Sequence, residues 1–173
     1  YVDQKKIQEV KKFIPQGKKN ILIAPSSSGP TTMWGENFFI DVMKRLDSKF
    51  DCFFIIAVDS TEKEKKIADK IISNFDKNKI ISLSDKTINQ AMPIIACCNL
   101  SISNDTSFQH LSCQLNVPVL ILRLDTPDAY SSYSKFQYSV FPTGYSEVTH
   151  NTRADPNLIS TDKVFKKALD FLN

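Results

Sequence analysis

Apolar residues along the chain fall into two alternating patterns. Short, mostly apolar runs at 21–24, 52–58, 80–83, 100–103 and 117–122 have the form of strands buried on both faces. Pro118 is tolerated because it falls near the start of its run. Between these runs the apolar residues recur every three to four positions, the helical period. Residues 3–14 carry Ile7, Val10, Phe13 and Ile14 on one stripe, with lysines opposite and Pro15-Gln16-Gly17 as the stop. Trp34-Gly35-Glu36 leads into a helix through Leu46, with Phe38, Phe39, Val42 and Met43 inward. Asp59-Ser60-Thr61-Glu62 caps a longer one, whose inner face is Ile67, Ile71, Ile72 and Phe75. Asp85 or Thr87 caps a helix from Ile88 to about Cys98, in which Pro93 predicts a kink or early break. Helices over 108–115 and from the cap Ser160-Thr161-Asp162 to the end complete the series. Residues 123–134 read as a long polar and aromatic loop, 138–141 as a sixth, edge strand, and 142–158 as irregular.

Strands alternating with helices across short loops predict an α/β fold, a Rossmann-like parallel sheet with helices on both faces. Such sheets bind ligands at the carboxyl ends of their strands. Polar loops stand there at 26–32, 59–62, 104–107 and after the fifth strand. The stretch 100–110 is the most telling: a strand stops at Ser103-Asn104-Asp105-Thr106-Ser107 and turns straight into helical spacing. Free backbone N–H groups at such a helix start suit an anion or phosphate. Asp105 is the expected cap acceptor.

At 173 residues the chain is expected to form a single domain, 1–173. Its 22 basic and 19 acidic residues leave a net charge of +3, and lysines such as Lys5, Lys6, Lys11, Lys12, Lys63, Lys65 and Lys66 are spread over helix faces, which speaks against a nucleic-acid partner. No apolar stretch approaches the roughly 20 residues of a membrane span, and no signal-peptide core is visible. Cys52, Cys97, Cys98 and Cys113 lie in apolar segments without CxxC spacing, as free thiols of a reducing cytoplasm do. Two histidines, His110 and His150, are too few for a histidine metal cluster, and no metal is expected. Because Tyr1 opens directly into a helical pattern, the chain is expected to be a piece of a longer protein. The motifs GxGxxG, GxxxxGK[ST] and GxSxG are absent, so neither a glycine-rich dinucleotide site, a P-loop nor a nucleophile elbow is indicated. The hydroxyl and amide donors that remain at the strand ends suit phosphate oxygens and sugar hydroxyls.

Pro25-Ser26-Ser27-Ser28 followed by Trp34, the segment 83–98, Asn104-Asp105-Thr106 with His110-Leu111, and Thr126-Pro127 resemble, in order and spacing, the C-terminal half of family 9 glycosyltransferases, the ADP-heptose:lipopolysaccharide heptosyltransferases and their relatives. The likeness runs from about Asn20 to Tyr133. It implies one half of a GT-B fold, in which this half binds the nucleotide diphosphate sugar donor (ADP-heptose-like, as substrate, with no cofactor). By position it places Ser26, Ser27, Ser28 and Thr32 at the donor phosphates or sugar, Glu62 or a loop neighbour near the ribose, Asp105 at the donor sugar, and Thr106 and Ser107 near the diphosphate. His110, Trp34 and Thr126 would support the site. The catalytic carboxylate would belong to an N-terminal domain of the same protein, so no catalytic residue is expected here and the chain alone is expected to be inactive. The implied acceptor is a lipid-linked, lipopolysaccharide-type saccharide, and the implied location is the cytoplasm, peripheral at the inner face of the bacterial inner membrane.

Two positions depart from the family pattern. A lysine two residues before the Trp is replaced by Thr32, and the glycine after Asp-Thr by Ser107. Losing a cation opposite a diphosphate removes a charge-assisted bond, and adding a side chain crowds a close backbone approach. A different donor, compensation by Arg123, or a non-catalytic nucleotide- or phosphosugar-binding module with a degenerate donor site are the alternatives. The residues also have plainer readings. Asp105 could be a cap alone, His110 a buried structural histidine, Trp34 a core anchor and Glu62 a first-turn helix charge. Tyr130 and Tyr133 could pack the loop or line a cleft, while Lys135 and Arg153 read as solvated.

Overall fold

A computed structural model describes residues 2–130 and 132–173. In chain order the elements are α1 (Gln4–Val10), β1 (Lys19–Ala24), α2 (Glu36–Lys49), β2 (Cys52–Ile56), α3 (Glu62–Ile72), β3 (Ile80–Ser82), α4 (Ile88–Ile95), β4 (Leu100–Ser103), α5 (Ser107–Gln114), β5 (Val119–Leu122), β6 (Gln137–Val140) and α6 (Thr161–Leu172). The six strands form one sheet in the order β3-β2-β1-β4-β5-β6, and every pair is parallel. The chain therefore winds outward from β1 to β3, returns to β4 beside β1, and winds outward the other way. The point of return, between β1 and β4, opens a crevice at the carboxyl ends of the two strands.

Alternation along each strand divides the core in two. Ile21, Ile23, Phe54, Ile56, Leu100, Ile102, Leu120 and Leu122 face one layer, where α2, α3 and α6 contribute Phe39, Met43, Leu46, Ile71 and Val164. Leu22, Ala24, Phe53 and Ile55 face the other, against Ile14, Ala91, Ile94 and Ile95, with Phe108 and Leu111 of α5 packed alongside. Each fully buried Leu, Ile or Phe contributes on the order of 1.5–3 kcal/mol relative to exposure. Trp34 anchors the first layer at 1% exposure. Its ring stacks on Phe38 at 5.3 Å and meets Phe39 edge-on at 5.1 Å, and its Nε1–H donates to the carbonyl of Ile159 at 2.8 Å. Gly35, at φ 105°, turns the chain from Trp34 into α2, a conformation closed to most side chains.

Several boundaries differ from the expectations above. Asp3 caps α1 through the Lys5 N–H, but the helix stops at Val10, so Phe13 leaves the inward stripe and is 81% exposed. Pro93 lies inside α4, which is capped by Thr87 in a capping box with Gln90 and ends two residues past the proline. Strand β2 ends at Ile56, although the Ala57 N–H still donates to Ile23. Because Pro118 offers no N–H, β5 begins at Val119. The sixth strand is an edge, as expected, and starts at Gln137. All four cysteines are free, Cys52 and Cys113 buried and Cys97 and Cys98 half-buried. Among the described residues no helix is long and apolar enough to cross a membrane.

Candidate functional site

The site begins with a buried side chain that the sequence reading left without a role. Asn104, 0% exposed, follows β4 and ties its end to the end of β1. The Asn104 N–H donates to Ala24, its side-chain amide donates to the Pro25 carbonyl at 2.6 Å, and its Oδ1 accepts the Trp34 N–H at 3.1 Å. One residue thus fixes the loop after β1 against the loop after β4 on both sides of the crevice.

Thr106, not Asp105, caps α5: its Oγ1 accepts the Phe108 N–H at 2.9 Å. Asp105 is drawn away by Gln109, whose Nε2 donates to Asp105 Oδ1 at 2.8 Å. The expectation that Asp105 caps the helix is therefore corrected, and the carboxylate is turned toward the crevice.

Two clefts meet there, with Ser28 and Asp105 in the lining of both. The first, about 350 Å³, is lined by Ser26, Ser27, Asp59, Glu64, Thr106 and Ser107 besides. The second, about 360 Å³, adds Thr32, His110, Asp125, Thr126, Tyr130 and His150. Trp34 lines neither; it supports the site from the core, through Asn104. Glu62 also lines neither, while Asp59 of the same loop lines the first. Thr61 caps α3, so Glu62 is the first helical residue and points outward, whereas Glu64 folds back and accepts the Asp59 N–H at 2.8 Å.

The hydroxyls of Ser27 and Thr32 are engaged inside their own loop. They lie 2.6 Å apart, and each is within 2.9 Å of the Gly29 carbonyl. Two protons serve these three contacts, so a ligand would meet lone pairs here rather than donors. His110 is half-buried rather than core-facing, and its Nδ1 lies 2.6 Å from Tyr133 Oη, with the rings stacked at 5.8 Å. Gln109 Nε2 is 3.3 Å from His110 Nε2. Tyr130 meets His150 edge-on at 5.1 Å. Asp125, a further residue not anticipated from sequence, accepts the Arg153 N–H at 2.7 Å.

Electrostatically the clefts are acidic. Asp59, Glu64 and Asp105 border the first, Asp105 and Asp125 the second, and among the described residues no Lys or Arg lines either. The nearby cation is Arg123, which is 1% exposed. Burial lowers the pKa of its guanidinium, while the charges of Asp105 and Asp128 oppose that shift. Among the described residues no group of three or more His, Cys, Asp or Glu side chains is placed to hold a metal ion.

Residues 1–142 match the family model described as glycosyltransferase family 9 (heptosyltransferase). The chain belongs to glycosyltransferase family 9. A family member similar to it is lipooligosaccharide heptosyltransferase 2 of Haemophilus ducreyi, 28% identical over 107 residues, covering 60% of this chain and 30% of the relative. In structure it resembles E. coli ADP-heptose lps heptosyltransferase II, with a TM-score of 0.80 at 18% identity over 99% of this chain and 52% of the other. E. coli heptosyltransferase WaaC with ADP-2-deoxy-2-fluoro heptose gives 0.71 at 14% identity, over 95% and 47%. The chain thus spans about half the length of these solved heptosyltransferases, and their GT-B-like Rossmann fold is the fold seen here.

Proposed function

We propose that the chain is the donor-binding part of a glycosyltransferase that moves a heptose-like sugar from a nucleotide diphosphate sugar to a lipopolysaccharide-type acceptor. The observation that carries this reading is the paired cleft at the β1–β4 crossover of a family 9 chain, floored by the start of α5 and walled by the serine loop after β1. Backbone N–H groups at Thr106 and Ser107 suit a diphosphate, and the carboxylates of Asp105 and Glu64 suit sugar and ribose hydroxyls. The 28%-identical relative is named a lipooligosaccharide heptosyltransferase, which supports the acceptor class.

In this reading an acceptor hydroxyl attacks the anomeric carbon, the bond to the diphosphate breaks with inversion, and the diphosphate leaves with the electron pair. Hydrogen bonds and the helix start at Thr106 stabilise the departing charge. The base that takes the acceptor proton comes from an N-terminal domain of the same protein, so no residue of this chain is assigned to catalysis. No cofactor is called for. The assembled enzyme would work in the cytoplasm, peripheral at the inner face of the inner membrane, where a lipid-linked acceptor is presented.

A second reading has its own support. Thr32 and Ser107 replace a cation and a glycine of the family pattern, and the clefts are lined by hydroxyls and carboxylates, with no Lys or Arg among the described residues. A module that binds a nucleotide or phosphosugar without transferring anything fits that composition. Calorimetric titration with ADP, UDP, GDP and their sugars tests both. Binding of a nucleotide sugar that Asp105→Ala abolishes supports the transferase reading. Binding of a nucleotide that is indifferent to the sugar favours the module, and no binding to any of them overturns both.

A further inference from the structure

The same two residue types stand at the start of two helices and are used in two ways. At α4, Thr87 is the cap and Gln90 the third helical residue, and they close a capping box: the Thr87 N–H donates to Gln90 Oε1 at 2.9 Å. At α5, Thr106 is the cap and Gln109 the third helical residue, yet Gln109 turns its amide the other way. Its Nε2 donates to Asp105 Oδ1 at 2.8 Å and stands 3.3 Å from His110 Nε2. Its Oε1 is buried without a partner among the described residues. The Thr106 N–H, which a capping box would occupy, has no partner among them either.

A glutamine that served only the helix would take the box, as the exposed Gln90 does. Gln109 is 0% exposed and leaves its own oxygen unmet, which is unfavourable for a buried acceptor. What this orientation achieves lies on the cleft side. Asp105 borders both clefts, and His110 borders the second. Exchanging the amide O and N would set Oε1 against the Asp105 carboxylate, two acceptors with no proton between them, so the orientation is fixed by chemistry. One buried NH₂ group therefore holds two side chains of the cleft wall. Asp105 is held through Oδ1, and among the described residues no hydrogen bond reaches its Oδ2. A carboxylate oxygen and an unpaired backbone N–H thus stand on neighbouring residues, 105 and 106, at the cleft border.

We infer that Gln109 is a positioning residue of this site: it turns Asp105 so that Oδ2 accepts a hydroxyl of a ligand whose phosphate meets the Thr106 N–H. A ligand that satisfies both groups carries a hydroxyl-bearing ring beside a phosphate, as a glycosyl phosphate does. The inference rests on the donor reading above and deepens it, because it names the residue through which the site tells a nucleotide sugar from the bare nucleotide. Gln109 itself touches no ligand.

Calorimetric titration of the whole chain with ADP and with ADP-heptose tests this, and the readout is the ratio of the two affinities. The wild type is expected to favour ADP-heptose by about twofold or more, the contribution of one net hydrogen bond. Gln109→Met fills a similar buried volume without a donor. It is expected to bind ADP within about twofold of wild type and to lose more than half of the ratio. Gln109→Asn, one methylene shorter, withdraws the amide from Asp105 and is expected to do the same, so it serves if the methionine variant does not fold. A folded variant that keeps more than half of the wild-type ratio overturns the inference and leaves the donor reading intact. That is the outcome for a glutamine that merely braces the helix, since its loss lowers the melting temperature without altering discrimination. A wild-type chain that does not distinguish the two ligands, or binds neither, overturns the inference and the donor reading together.

Discussion

The side-chain amide of Asn104 donates to the carbonyl oxygen of Pro25 at 2.6 Å, across the line where the order of the sheet reverses. Both groups lack access to water, so each depends on the other. Asn104→Leu leaves the Pro25 carbonyl and the Trp34 N–H without partners and is expected to destabilise the chain by about 2–4 kcal/mol. Asn104→Asp keeps the acceptor for Trp34 but sets a carboxylate against a carbonyl, and should be no milder. Urea unfolding followed by circular dichroism measures both. Stability within 0.5 kcal/mol of wild type, about the scatter of neutral surface changes, would count against the tie.

The tautomer of His110 follows from Gln109. The NH₂ of Gln109 faces both Asp105 Oδ1 and His110 Nε2, so the histidine must accept at Nε2 and carry its proton on Nδ1, toward Tyr133 Oη. Nitrogen-15 spectra of the neutral imidazole are expected to show the Nδ1–H form in excess. Tyr133→Phe, which removes the acceptor, is expected to shift the ring toward the more common Nε2–H form. A dominant Nε2–H signal in the wild type would refute the network.

Thr32→Lys returns a cation to the second cleft at the position where the family pattern has one. The lysine forfeits the Thr32 hydroxyl contacts with Ser27 and Gly29, a loss on the order of 1 kcal/mol. A charge-assisted bond to a diphosphate exceeds that, and ADP affinity is expected to rise about tenfold. Calorimetry at low and high salt reads the effect, which should shrink as salt rises. Unchanged affinity at low salt would place the diphosphate away from Thr32.

Acid sensitivity should begin at Glu36. The hydrogen bond from Lys70, at 2.7 Å, holds its carboxyl below the ordinary value of 4.5, helped by a backbone N–H and opposed by burial. A carboxyl depressed in the folded state adds stability above its unfolded pKa and loses it as pH falls through the lower folded value. The pair is partly exposed and solvent-screened, so the contribution is small. Lys70→Met is expected to flatten the stability profile from about 4.5 downward and to leave its slope near neutrality unchanged. Chemical denaturation at a series of pH values shows whether the two profiles converge below that point.

The sequence displays local decisions well and competing ones poorly. The buried strands show as apolar runs because both faces are covered, and the caps Thr61, Thr87 and Ser160 fall within the short polar clusters that mark them in the sequence. Asp105 and Thr106 could each have capped α5. The choice was made by Gln109, one turn into the helix, which recruits the carboxylate. Glu64 folds back onto the Asp59 N–H because Thr61 is the cap and places Glu64 at the third helical position. Phe13 looked inward only while the helix was assumed to reach it. Arg123 is hardest to foresee. An arginine after an apolar run reads as a strand end meeting solvent, and its burial depends on β6 and on the turn at 128–130, which arrive later in the chain.

The bond from Trp34 to the carbonyl of Ile159 joins residues 125 positions apart, and it reaches past residue 142, where the match to the family model stops. A fragment trimmed to that match would keep every residue named in the clefts except His150, yet leave the indole without its acceptor and α2 without α6 against it. The loop after β1 would keep its backbone ties to Asn104 but lose the anchor of its indole. The smallest piece able to preserve the site is therefore longer than the signature that identifies it. Occupancy of the clefts should, by the same coupling, slow proteolysis and amide exchange in the C-terminal helix, far from any ligand contact.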